Sequence, residues 1–202
     1  MKIISLIGGG LLILLAFYYF STLNSENEPV SESDQAIESK QVENLNPEMQ
    51  NYEDIDTKLS FDYRTSPEGY TLIELEKSEN SSDYFVSGVR LFRTTDYEEM
   101  QSDLHRGAPP SFIISIFDNS ELEFYEWLAA NTLLTNDQGT QETIMVGRAS
   151  GVMYAWEGMF SGETAVVQNG DYIYMFEGLY NTDTDDARRQ DFKDLLQSVS
   201  FD

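Results

Sequence analysis

The 202-residue chain has no cysteine, one histidine, and only 12 residues that are Lys or Arg. Without cysteine it forms no disulfide, so its stability must come from packing. Thiolate catalysis, Cys-ligated zinc and a lipid-modified N-terminal Cys are excluded for the same reason. A lone His105 cannot build a His-rich metal site. It does not point to a Ser-His-Asp enzyme either, because no Gly-x-Ser-x-Gly elbow is present to raise a nucleophile. Within Asp103-Leu-His-Arg-Gly107 it reads as a loop histidine. The scarcity of bases against 36 acids leaves a formal net charge of −24. Such a surface repels the phosphates of nucleic acids and the heads of anionic lipids, so nucleic acid is not an expected partner. It is compatible with cationic partners, divalent ions or a high-salt habitat; its simplest role is solubility.

Charge is also missing from one long stretch. Ile3 to Phe20 is eighteen residues without a charged side chain. As a helix it spans about 27 Å, close to the roughly 30 Å hydrocarbon core of a bilayer. A cleavable signal peptide has a shorter apolar region and small residues before the cut. Here the run ends in Phe17-Tyr-Tyr-Phe20, aromatics suited to a membrane–water interface. The expectation is an uncleaved, single-pass signal anchor over residues 1–20; a cut after Ser25 is the alternative. Lys2 precedes the span and the next base is Lys40, with Glu26, Glu28, Glu32, Asp34 and Glu38 between them. The positive end stays in the cytoplasm, which places the rest outside it.

Residues 21–57 are rich in Ser, Glu, Asn and Gln and poor in large apolar residues. Such a segment buries too little apolar surface to offset its ordering entropy and reads as a disordered acidic tether. Ten acids and two bases give residues 21–58 a charge of −8; 26 acids and nine bases give the remainder −17. The acidity therefore belongs to the folded part as well as to the tether. Residues 58–202 are enough for one extracytoplasmic domain with a real core.

Within that domain, strands are expected at 59–64, 70–77, 84–94, 111–117, 143–146, 151–157, 164–168 and 171–179. Helices are expected at 96–104, at 121–133 behind a Ser120/Glu123 capping box, and from about Thr184 to Val199. Phe192, Leu195, Leu196 and Val199 make an apolar stripe at helical spacing. Asn169-Gly170 between alternating runs is a hairpin signal. Strands in succession with helices between and after them predict an α+β fold: a mainly antiparallel sheet flanked by helices, preceded by one transmembrane helix.

Several local patterns carry a resemblance. They are Phe61-Asp-Tyr63, the Pro67-Glu-Gly-Tyr70 turn, the strand from Pro109 to Asn119, the Leu122-to-Leu128 helix, the strand entry from Val146 to Gly151, Gly178-Leu-Tyr180, and the closing run from Phe192 to Phe201. Together they resemble small membrane-anchored bacterial domains of the PsbP/Mog1-like fold. The resemblance covers residues 59–202 and implies an α/β/α sandwich. Photosynthetic members assist a manganese–calcium cluster and others bind a small GTPase. The matching residues are packing and turn residues, so neither role passes to a named residue here.

The remaining candidates each have a plain structural reading. Asn181-Thr-Asp183-Thr-Asp185-Asp186 places oxygen ligands at alternate positions, with Asp183 and Asp185 as the candidate ligands for a divalent cation. An EF-hand needs Gly at its sixth position and Glu at its twelfth; Asp186 and Phe192 stand there, and helix N-capping is the leading reading. The pairs Glu98–Glu99 and Glu121–Glu123 are the carboxylates that a hydrolase would use. Tyr154, Trp156, Phe160, Tyr172, Tyr174, Phe176 and Tyr180 are core or cross-strand aromatics, of which Tyr154, Trp156, Tyr172 and Tyr174 form the candidate binding face.

The sequence thus leads to a membrane-anchored extracytoplasmic binding or accessory module. No catalytic set, no cofactor and no resident metal are expected. Its membrane contact is the Ile3–Phe20 helix, and its partner is an envelope protein or a small ligand. The alternatives are a carboxylate-dependent envelope hydrolase and a divalent-cation-responsive domain.

Overall fold

Ten strands and three helices are formed among the described residues, most of the strands from alternating apolar residues. The computed structural model describes residues 48–65, 68–77, 84–102, 107–119, 122–131, 141–158, 160–180 and 186–202. The expected anchor between Ile3 and Phe20, most of the tether, His105, Asp183 and Asp185 lie outside them. The strands are β1 (Met49–Asp54), β2 (Leu59–Arg64), β3 (Tyr70–Leu75), β4 (Phe85–Arg93), β5 (Phe112–Asp118), β6 (Glu142–Val146), β7 (Ala149–Glu157), β8 (Ser161–Asn169), β9 (Tyr172–Tyr180) and β10 (Ser200–Phe201). The helices are α1 (Thr94–Ser102), α2 (Phe124–Ala130) and α3 (Asp186–Ser198). None of these helices is long and apolar enough to cross a membrane.

The strands form two antiparallel sheets, ordered β1-β2-β10 and β3-β4-β5-β9-β8-β7-β6. The architecture is α+β, mainly antiparallel sheet with a few helices. The small sheet departs from the expected single layer because β1 falls inside the segment read as tether. Met49-Gln-Asn-Tyr-Glu-Asp54 is too polar to signal a strand. Its backbone nevertheless pairs with β2 from Met49↔Arg64 to Asp54↔Leu59. Tyr52 stacks its ring 5.1 Å from that of Phe61, so one aromatic and a full ladder replace an apolar face. The domain therefore includes β1, which precedes residue 58.

Two cores lie on opposite faces of the large sheet. On one face Phe192, Leu195 and Leu196 of α3, with Val199 just after it, pack with Leu59 and Phe61 of β2 against Leu91, Phe112, Ile114, Val167, Tyr174 and Phe176. Each such buried side chain contributes roughly 1.5–3 kcal/mol, so the predicted stripe fixes α3 to the sheet. On the other face Trp127 of α2 caps Phe117, Val152, Tyr154, Val166, Ile173 and Met175. α2 starts later than expected: its N-cap is Glu123, whose N–H donates to Glu126 Oε2 at 3.4 Å, while Ser120 lies outside the described residues.

Two turns set the register. The β8–β9 hairpin closes at Asn169↔Tyr172, leaving Gly170 and Asp171 as its central residues. Gly170 has φ +60°, a conformation that glycine adopts without steric cost. The β1–β2 turn is tied by Asp54 Oδ1, which accepts from the N–H groups of Asp56 and Thr57 at 3.1 and 3.2 Å. Lys58 ends that turn at φ +61°, the one non-glycine residue with positive φ among the described residues.

Candidate functional site: an acidic, aromatic cleft

β2 crosses close to α3, and Ser198 joins them: its Oγ accepts from the Asp62 N–H at 3.0 Å and donates to Leu195 O at 2.7 Å. Beside this junction the start of β3 meets the same helix through Tyr70. Among these three elements lies a cleft of about 180 Å³, with Met49, Tyr63, Tyr70, Phe112 and Leu195 as apolar walls and Asp62, Arg64, Asp191 and Asp194 as charged groups. Its floor is aromatic. Tyr70 packs against Phe112 at 4.9 Å, and Phe112 stacks on Phe192 at 5.6 Å.

The charges are not equivalent. Asp191 Oδ2 accepts the Tyr70 hydroxyl at 2.7 Å, and its Oδ1 lies 3.4 Å from an Arg64 nitrogen. Burial, then the hydrogen bond to Asp191, raises the Tyr70 phenol well above its ordinary value, so it stays a donor. Asp191 is thereby neutralised inside the cleft. Asp62 Oδ1 accepts from Asn51 Nδ2 at 2.9 Å and Asp194 Oδ1 from Gln190 Nε2 at 2.7 Å. Amides orient a carboxylate without cancelling its charge. Among the described residues neither Asp62 nor Asp194 has a cation within ion-pair distance, and two negative charges remain at the mouth.

The chain is similar to the solution structure of cyanobacterial PsbP (CyanoP) from Synechocystis sp. PCC 6803, at 12% identity and a TM-score of 0.46, over 82% of this chain and 99% of that one. It is also similar to a crystal structure from Bacteroides thetaiotaomicron VPI-5482, at 8% identity and a TM-score of 0.43, over 75% of this chain and 48% of that one. PsbP is the group whose motifs the sequence resembles. Neither likeness assigns a role to a residue of this chain. No protein-family model and no curated protein matches it.

The aromatic face read from the sequence is divided by the sheet. Strand alternation and the register Tyr154↔Thr164↔Glu177 put Tyr154 and Trp156 on the α2 side. Val167↔Tyr174 puts Tyr172 and Tyr174 on the α3 side. Tyr154 and Tyr174 are 2% and 0% exposed, so they are core residues. The Tyr174 hydroxyl donates to the Thr57 carbonyl and ties the β1–β2 turn to the sheet. Trp156 Nε1 donates to Thr164 Oγ1 at 3.0 Å, with its ring laid over Gly162.

The other candidates are placed apart. Glu98 and Glu99 lie exposed on α1, and Glu123 is the N-cap of α2. Among the described residues no three His, Asp or Glu side chains come together as a metal site. Arg189 pairs with Glu163 at 3.4 Å and covers the Tyr180 ring at 4.6 Å.

One titratable group was not visible in the sequence. Glu177 sits on the α2 face of β9, between Ile113 of β5 and Thr164 of β8. Desolvation there pushes its carboxyl up to about 7. In Phe176-Glu-Gly178 it reads as a solvent-facing residue; in the fold it is half-buried on a central strand, with β5 and β8 on either side.

Proposed function

We propose that this chain is a binding or accessory module that receives a cationic group of a partner, the head of a Lys or Arg side chain, in the cleft between β2 and α3. The observation that carries the reading is the uncompensated pair Asp62 and Asp194 above the floor of Tyr63, Tyr70 and Phe112. A cation gains from the carboxylates by charge and from the aromatic faces by their quadrupoles. About 180 Å³ admits one side-chain head and no folded element. The acidic field of residues 59–202 draws basic segments to the mouth and speeds encounter.

The proposal includes the setting. The uncharged stretch from Ile3 to Phe20, with Lys2 before it, supports a single-pass anchor with the domain outside the cytoplasm. A reporter fused after Asp202 that is active only outside the cytoplasm agrees with this topology; one active only inside overturns it.

Binding is tested with the full chain in detergent micelles and a pentalysine peptide followed by calorimetry. The expected isotherm weakens as salt rises and by at least tenfold in the Asp62→Asn/Asp194→Asn double variant. An isotherm unchanged in that variant removes the cleft from the reading.

A further inference from the structure

We propose that a second groove, between α2 and the turns at Gly147 and Gly170, is a binding subsite for a carboxylate-bearing sugar ring. The groove is open and encloses about 500 Å³, within the range of small-molecule sites and roomy enough for a mono- or disaccharide. It lies by α2 and not by α3, so it is separate from the acidic cleft and goes beyond the function proposed above.

Three observations define its chemistry. The first is a platform. Tyr125 is 73% exposed, yet its ring is steadied edge-on by Phe124 at 5.2 Å and 65°. A wet aromatic face suits the C–H face of a pyranose, which is apolar on the face and polar at its rim. The second is a set of polar groups within the groove. Ser150 and Gln168 line it, and Gln168 Nε2 donates to Gly170 O at 3.2 Å. That bond orients the amide and leaves its Oε1 to accept and its second N–H to donate, a pairing that matches adjacent hydroxyls.

The third observation is the sign of the charge. Residues 59–202 hold 26 acids against nine bases. The groove lining nevertheless contains Arg148 and no carboxylate, the reverse of the acidic cleft. Arg148 is exposed in the Gly147 turn, and a guanidinium fork fits a carboxylate through two parallel hydrogen bonds. A neutral sugar uses the platform and the amide but leaves the arginine without its complement.

Saturation-transfer NMR on the full chain in detergent micelles tests this, with trigalacturonate and galactotriose as probes. Trigalacturonate should receive saturation, and galactotriose should bind at least tenfold more weakly. Tyr125→Ala should abolish transfer to both, and Arg148→Gln should bring the acidic sugar down to the neutral one. Both side chains are exposed, and unchanged circular dichroism confirms the fold of each variant. Asp62→Asn/Asp194→Asn should leave sugar transfer intact. Absence of transfer to trigalacturonate, or transfer that survives Tyr125→Ala, overturns the site. Equal binding of the two sugars with no effect of Arg148→Gln overturns carboxylate recognition.

Discussion

The Tyr70 hydroxyl on β3 donates to Asp191 on α3 at 2.7 Å, joining residues 121 positions apart. Arg64 of β2 meets the same carboxylate at 3.4 Å. One side chain of α3 therefore pins both sheets, and the cleft opens beside that pin. Tyr70→Phe keeps the ring and removes the donor. A hydrogen bond to a charged group is worth about 1.5–3 kcal/mol, and the partial exposure of Asp191 places this one at the lower end. Urea denaturation should show a loss of about 1.5 kcal/mol at unchanged slope. A variant as stable as the parent would show that the bond holds nothing together.

Glu177 gives the chain a pH signature. Its carboxyl is raised by desolvation from 4.5 to about 7, so the folded state binds the proton more tightly than the unfolded state does. The group costs nothing below about pH 4.5. Its cost grows as pH rises through 4.5–7 and is complete above that. Glu177→Gln removes the cost. The variant should match the parent at pH 4 and exceed it at pH 8 by up to about 3 kcal/mol. Equal stabilities at both pH values would mean that Glu177 is solvated.

The readable parts of this fold were those set by local rules. The hairpin signalled by Asn169-Gly170 and the Phe192-to-Val199 stripe follow from turn chemistry and helical period, and both are present, the turn one residue later at Gly170-Asp171. The parts set by distant pairing were not readable. β1 is polar and gains its order from β2. Tyr154 and Tyr174 look alike in sequence, but the register of β7, β8 and β9 sends them to opposite faces. The cleft gathers Asp62 and Asp194 from elements separated by most of the domain, and no spacing rule joins them.

Gly162 is a packing requirement. A Cβ there would enter the space of the Trp156 ring and stand 2.7 Å from the Gly178 carbonyl oxygen. Gly162→Ala must push the indole away and break its bond to Thr164. Overpacking of this kind costs about 1–3 kcal/mol. Thermal unfolding should show a drop of several degrees with loss of near-ultraviolet circular dichroism; an unchanged melting temperature would contradict the packing.

Lys58 carries the reverse case, a side chain at φ +61°. The left-handed region costs an L-residue about 1 kcal/mol, part of which glycine returns as unfolded-state entropy. Lys58→Gly should stabilise the chain by about 0.5 kcal/mol in urea denaturation. A loss of stability would show that the lysine makes a compensating contact.

The central claim is that the cleft between β2 and α3 takes a cation. It is tested most directly by mapping amide NMR shifts on the full chain while N-acetyl-lysine methylamide is added. The account predicts saturable shifts confined to Met49, Asp62 to Arg64, Tyr70 and the Asp191-to-Ser198 turns of α3. Small, unsaturable shifts spread over the acidic surface, or a focus elsewhere on the domain, would contradict it.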